Sequence, residues 1–352
     1  MGVSSSNNKK KFSLKAKSAA GLFIIILLTA CGMGIRQYNL YRFHLEKDVR
    51  LMMDTYVSIY AIGPAKVTKP AIDLAFKRMA QIDAKFSIQN PKSPLYAFNH
   101  YGAPVSDKEI LHVVRTALEI SQKTGGAFDI TVCPLIEAWG FYGETPKLPP
   151  ESDIREAMKN VGYQYLLIHD GILEKTRPGV RIDLGGIAKG YSVGEAAKVL
   201  KANGVTSALI DAGGDVYAMG LKGNGPWKVG IRETRSTGLM GYLEAEDIAV
   251  IGSGDYERFF IHDGRRYHHI FNPATGYPTE GLSGITIIYS DPMIAQAWAK
   301  APFVLGPEKG LEALQKISGM EVLMVTDSGE KIVSSGLKHH IMQMPKTNKG
   351  EL

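Results

Sequence analysis

Cysteine is nearly absent from this chain, and that limits how it can be held together. Two occur in 352 residues, Cys31 and Cys133. Cys31 closes an N-terminal leader, so the remainder holds a single thiol and no disulfide can form within it. A domain of this length without covalent staples must rely on a buried core, and 45% hydrophobic with 22% charged residues is the composition for one. The same composition excludes a disordered, collagen-like or polytopic membrane protein, and the length predicts one large or two modest domains. Cys133 stands between Val132 and Pro134 in an apolar stretch. It reads there as a small buried hydrophobe rather than a nucleophile.

The formal net charge of +6 suggests nucleic acid until its location is considered. Lys9, Lys10, Lys11, Lys15 and Lys17 lie in the first 30 residues with no acid beside them, and they account for all but one of those charges. The rest of the chain has no basic domain, which removes the electrostatic case for nucleic-acid binding. Ala19 to Ala30 is an apolar run of twelve residues, too short to span a bilayer and the right length for a signal-peptide core. It ends in Leu28-Thr29-Ala30-Cys31, which resembles a bacterial lipobox whose cysteine is lipidated and becomes the new N-terminus. A diacyl or triacyl anchor supplies the chains that stable attachment needs. The expected layout is a signal peptide over 1–30, a lipidated tether over 31–42 and one domain over 43–345. The expected location is the extracytoplasmic or periplasmic face of a bacterial membrane. Gly32 follows the cysteine, so inner and outer membrane both stay open.

Beyond the tether, strand and helix patterns alternate without repeats or low-complexity linkers. Met53–Tyr60 alternates like a strand, and Ile72–Phe86 has apolar residues at helical spacing. Ser106-Asp107-Lys108-Glu109 reads as a capping box for a helix stopped by Gly125-Gly126. Strands are predicted at Tyr165–His169, Val180–Asp183, Ser207–Asp211, Trp227–Ile231, Ile248–Gly252, Arg258–His262, Ile285–Tyr289 and Val322–Thr326. Helices are predicted over Ala188–Asn203, Met293–Val304 and Glu308–Ile317. Strands cluster as hairpins as well as around helices, which favours an α+β fold with a mixed sheet.

Common nucleotide and metal motifs fail. Gly185-x4-Gly190 has P-loop spacing, but Tyr191 stands where the lysine belongs. Asp211-Ala-Gly-Gly-Asp215 lacks the dinucleotide glycine spacing, and no cysteine pair or H-E-x-x-H accompanies His262, His268 and His269. Polar, glycine-rich blocks remain in a fixed order. They are Thr124-Gly-Gly-Ala-Phe-Asp-Ile-Thr-Val132 with Trp139-Gly-Phe141, Asp183-Leu-Gly-Gly-Ile-Ala-Lys-Gly-Tyr191, Asp211-Ala-Gly-Gly-Asp215, Ser253-Gly-Asp-Tyr-Glu-Arg-Phe-Phe260, and His268-His-Ile-Phe-Asn-Pro-Ala-Thr-Gly-Tyr-Pro278. Together they closely resemble the ApbE family of FAD:protein FMN transferases, from about Met53 to Gly306.

The resemblance implies an ApbE-like (T-fold-like) mixed sheet with packed helices in one large two-lobed domain. It implies transfer of FMN from FAD to a serine or threonine hydroxyl of an acceptor flavoprotein, often a membrane electron-transfer component, with release of AMP. By the same likeness Met53, Ala127, Phe128, Asp129, Asp183, Lys189 and Phe271 match FAD-contacting positions, and His269 matches the general base. Phe128 reads equally well as core packing, and His269 could instead be a structural hydrogen-bonder. The family's magnesium motif runs approximately D-A-x-[SD]-T-A-x-x-V-L-G, with a backbone carbonyl that would fall at Gly186. Here it reads Gln296-Ala-Trp-Ala-Lys300-Ala-Pro-Phe-Val-Leu-Gly306. Gln296 and Lys300 replace the aspartate and threonine, and Asn272 stands where the family usually has aspartate. A family-type magnesium site is not expected. Either Lys300 takes over the metal's charge on the pyrophosphate, or the protein is a degenerate relative that binds FAD without cleaving it.

Overall fold

The computed structural model describes residues 28–33, 44–143, 145–337 and 341–342. Most of the leader and tether lies outside the described residues; a short helix α1 over 28–33 leaves Cys31 exposed. Among the described residues no helix is long and apolar enough to cross a membrane.

An eight-stranded sheet runs in the order β1 (His44–Met52), β2 (Thr55–Gly63), β5 (Ala208–Ala212), β6 (Asp215–Met219), β9 (Ile248–Gly254), β12 (Leu282–Tyr289), β13 (Glu321–Thr326), β14 (Lys331–Val333). The α+β class holds, but the sheet expected to be mixed is antiparallel in every described pairing. Neighbouring side chains on a strand point to opposite faces, which divides the core in two. On one face, α2 (Ala65–Phe86) and α7 (Ala188–Ala202) bury Phe76, Met79, Val193 and Leu200 against Val57, Ile59 and Ile210. Further along it, α4 (Lys108–Lys123), α8 (Pro292–Trp298) and α9 (Ala301–Leu305) bury Ile110, Val114, Trp298 and Phe303 against Ile251, Ile287 and Met324. On the other face, the small sheet of β7 (Trp227–Arg232) and β8 (Leu239–Ala245) packs Trp227, Val229 and Leu243 on Val216, Val250 and Leu323.

Local chemistry explains where the sequence reading and the structure differ. Met53 is not the first residue of a strand. With Asp54 it forms a two-residue turn joining β1 to β2, and both adopt positive φ (51° and 57°). The cap of α4 is Asp107, not Ser106: its carboxylate accepts from the Glu109 and Ile110 N–H groups at 2.9 and 3.1 Å. Glu109 turns away from the cap to pair with Arg78 and Lys85. Val180–Asp183 is extended but joins no sheet. The Asn99 amide stands in for a neighbouring strand, donating to the Ile182 carbonyl at 2.8 Å and accepting its N–H at 2.9 Å. Helices α3 (Pro94–Tyr101), α5 (Cys133–Ala138) and α6 (Glu151–Met158) were not legible as periodic patterns. Cys133 is buried as expected, and burial pushes its thiol up to about 11.

The expected helix over Met293–Val304 is two helices. Pro302 lacks the N–H that would bond back to Trp298, so α8 ends there and α9 starts at Ala301. Lys300 sits in the break. Helix α8 also lies unusually close to α7. A Cβ on Gly190 would collide with the Pro292 carbonyl, and one on Gly194 would lie 3.3 Å from the Pro292 ring. Gly190→Ala is therefore expected to lower unfolding free energy by about 1–3 kcal/mol through overpacking, read by urea denaturation. An unchanged midpoint would show that the two helices separate freely.

Candidate active site

The break between α8 and α9, the loop entering α7, the β5–β6 turn and the segment after β9 meet at one end of the sheet. The Gln296 side chain ties them together. Its Oε1 accepts the Gly190 N–H at 2.8 Å, and its Nε2 donates to the Gly185 carbonyl and to Asp215 Oδ2, each at 3.2 Å. The Gly213-Gly214 turn, with φ of 65° and 94°, starts β6 at Asp215, whose carboxylate is buried. Lys189 Nζ pairs with that carboxylate at 3.0 Å. Burial opposes the Lys189 charge, but Asp215, Glu257 and Asp211 outweigh it and raise its pKa.

Lys300 reaches the same place from the opposite wall. Its stem passes Gly186, whose missing Cβ would meet the Phe128 ring at 3.2 Å and Lys300 Cγ at 3.9 Å. Its ammonium donates to the buried Ser253 hydroxyl at 2.6 Å. Burial lowers the Lys300 pKa, opposed by the nearby Glu257 and Asp215 carboxylates. Burial raises that of Glu257, opposed by Lys300 and Lys189. Glu257 is exposed and Lys300 half-buried. These side chains are walled by protein yet open to solvent, as in a cleft.

His269 faces the same cleft, and its tautomer is set by geometry. Nδ1 lies 3.3 Å from the Arg258 carbonyl, which can only accept, so Nδ1 carries the proton and Nε2 keeps its lone pair. Burial, then the charges of Lys300, His268 and Arg258, lower its pKa to about 3. Its neighbour is spent on structure. His268 is buried, donates from Nε2 to the Thr279 carbonyl at 2.8 Å and accepts the Ile270 N–H at Nδ1.

The remaining expected residues fall into different surroundings. The Met53 N–H donates to Asp83 Oδ2 at 3.3 Å, and its left-handed backbone is uncommon for a methionine. Ala127 and Phe128 are buried, with Phe128 in the core under Gly186. The Asp129 carboxylate is committed internally, to the Thr131 hydroxyl (2.6 Å) and N–H (2.8 Å) and to the Tyr163 N–H (2.8 Å). Asp183 accepts from the Gly185 N–H at 2.6 Å and from the Tyr142 hydroxyl at 2.5 Å. Phe271 is buried with Trp139, Phe141 and Leu135. Asp215, Ser253, Glu257 and Tyr142 were not singled out from the sequence. The first three lie inside its quoted glycine-rich blocks, and Tyr142 directly follows Phe141.

The ApbE family model matches residues 53–324. The chain belongs to the ApbE family. It is 30% identical to the FAD:protein FMN transferase of Treponema pallidum over 348 residues, covering 90% of this chain and 93% of that one. It is 32% identical to the enzyme of the same name from Escherichia coli K12 over 284 residues, covering 76% and 80%. The structure superposes on the ApbE protein of Thermotoga maritima with a TM-score of 0.78 and 33% identity, covering 84% of this chain and 98% of that one. The flavin transferase ApbE of Vibrio cholerae gives 0.77 and 27%, covering 85% and 100%.

The residues present do not fit the magnesium ion the family implies. A small hard cation needs oxygen ligands in near-octahedral array. Here the Gln296 oxygen and the Ser253 hydroxyl are engaged by N–H donors, as is the carbonyl of Gly185, the neighbour of the expected Gly186, and an ammonium stands among them. Among the described residues no three His, Cys, Asp or Glu side chains group to hold a metal ion.

A pH dependence follows from His269. Unfolded, the ring protonates near its ordinary value of about 6.5; folded, it stays neutral down to about 3. Between these values the unfolded chain binds the extra proton, so stability falls as pH drops through this window. The melting temperature should fall from pH 7 to pH 5, and less steeply in His269→Gln. Parallel profiles would mean that the ring protonates normally in the folded state.

Proposed function

We propose that this protein transfers FMN from FAD to a serine or threonine hydroxyl of an acceptor flavoprotein. The acceptor oxygen bonds to the FMN-side phosphorus, the bond from that phosphorus to the bridging oxygen breaks, and AMP leaves with the bridging oxygen and its electron pair. His269 Nε2 takes the hydroxyl proton. The observation carrying this reading is the neutral Nδ1–H tautomer of His269 beside the ammonium of Lys300, with Lys189 held near Lys300 by Asp215. A base and positive charge are what phosphoryl transfer to a hydroxyl requires.

The names of the relatives support the reaction class, and the leader supports the setting. In this reading Cys31 is lipidated after export, the domain works at the extracytoplasmic face, and the acceptor belongs to a membrane electron-transfer complex. Met53, Ala127, Asp183 and Lys189 line the approach of FAD. Phe128 and Asp129 act from behind it, shaping the loops at Gly186 and Tyr163. Phe271 braces the histidine segment through the Trp139 cluster.

Incubation with FAD and a flavin-acceptor domain, followed by denaturing gel fluorescence and intact mass, tests the reading. Wild type should attach one FMN. His269→Gln should slow attachment by about 10²–10⁴-fold while FAD affinity stays within a few-fold. Tight FAD binding with no attachment, where a bona fide family transferase labels the same acceptor, would favour a binding protein that does not cleave FAD.

A further inference from the structure

We propose that Gln296 and Lys300 form, with Lys189, a metal-free clamp for a diphosphate, so that this protein binds and uses FAD without a divalent cation. The clamp deepens the transferase reading and takes its ligand from it.

The two departures from the family's magnesium motif compensate each other in charge. A magnesium ion on an aspartate, with a neutral threonine, brings a net +1 to the site. Gln296 with the Lys300 ammonium also brings +1. Either substitution alone would leave the cleft one charge away from that value.

They compensate each other in hydrogen bonding as well. An aspartate at 296 would bring only acceptors toward the Gly185 carbonyl and the Asp215 carboxylate, themselves acceptors, a set that needs a cation among them. The glutamine amide replaces that cation with N–H donors, reaching both oxygens at 3.2 Å. It anchors its own oxygen on the Gly190 N–H at 2.8 Å. The loop that would offer a carbonyl to a metal is thus held by a side chain instead.

Lys300 supplies the charge. The chain break imposed by Pro302 puts it at the cleft, and Gly186 leaves room for its stem beside Phe128. An ammonium has three donors. One is directed at Ser253 at 2.6 Å, which fixes the group and leaves others for phosphate oxygens. Lys189, held on Asp215, is the second cation. Lysine is a workable phosphate partner as a point charge, and a bound diphosphate favours its charged form. Gln296 is a positioning residue here; Lys300 and Lys189 are the groups that meet the ligand.

The test is FAD affinity of the full chain in detergent, followed by flavin fluorescence in EDTA and in excess magnesium. Wild type should bind equally, within about twofold, in both media. Lys300→Ala should weaken binding about tenfold or more in both, the scale of a lost charge-assisted bond. The double variant Gln296→Asp/Lys300→Thr should bind poorly in EDTA and recover about tenfold or more with magnesium, a response that a purely structural role for Gln296 would not produce. Wild-type binding that collapses in EDTA, or unchanged affinity in Lys300→Ala, overturns the clamp and leaves the transferase reading standing. The wild-type comparison decides even where a variant does not fold. FAD held in EDTA with no transfer to an acceptor overturns the transferase reading and leaves the clamp. No FAD binding in either medium overturns both.

Discussion

The site depends on one buried amide. Gln296, at the end of α8, bonds the first turn of α7, the loop before it and the start of β6. Its bonds to the Gly190 N–H and the Asp215 carboxylate satisfy groups whose burial unpaired would cost stability. The close approach that brings α8 within reach is set by Gly190, where any side chain would strike the Pro292 carbonyl, and by Gly194, where a Cβ would press on the Pro292 ring. Lys189 follows from that placement, because it is one residue from Gly190 and faces the carboxylate that Gln296 also holds. Backbone contact, amide and ion pair are thus a single arrangement.

Charge in the cleft is balanced in two layers. Asp215 is buried behind, where it pairs with Lys189; Glu257 lies at the exposed mouth, opposite Lys300. The inner pair is built into the fold. The outer carboxylate makes no direct ion pair with Lys300 and is partly open to solvent, so it can yield to a stronger anion. Removing Asp215 would leave Lys189 without its partner in a place where unpaired charge is costly. Burial first and then Lys300 depress His269 protonation, so the imidazole stays neutral beside a cation placed to attract phosphate.

Much of this was legible in the sequence. Helical periodicity located α2, α4 and α7 because their apolar stripes are complete, and the ordered polar blocks located the cleft. Failures came where a local signal was replaced by a tertiary one. The β1–β2 hairpin turns on Met53-Asp54, which lacks the glycine or asparagine that usually marks such a turn, and β1 is an edge strand with charges on both faces. Val180–Asp183 has a strand's pattern, but its partner is the Asn99 side chain, more than 80 residues away in sequence. At the site, the substitutions at 296 and 300 were visible as a loss of metal ligands. Their mutual compensation was not, because it depends on which oxygens Gln296 faces. Asp129, expected from the resemblance to reach the cofactor, also accepts bonds from Thr131 and Tyr163, a structural tie its position in the sequence did not show.

Whether side chains have taken over a metal's place is decided by a crystal structure with FAD bound in excess manganese, whose anomalous scattering marks a divalent site. Lys300 Nζ should lie within hydrogen-bonding distance of a diphosphate oxygen, with Gln296 still on Gly185 and Asp215 and no anomalous peak between them. A manganese peak beside Gly186 and Gln296, with Lys300 turned away from the phosphates, would contradict it.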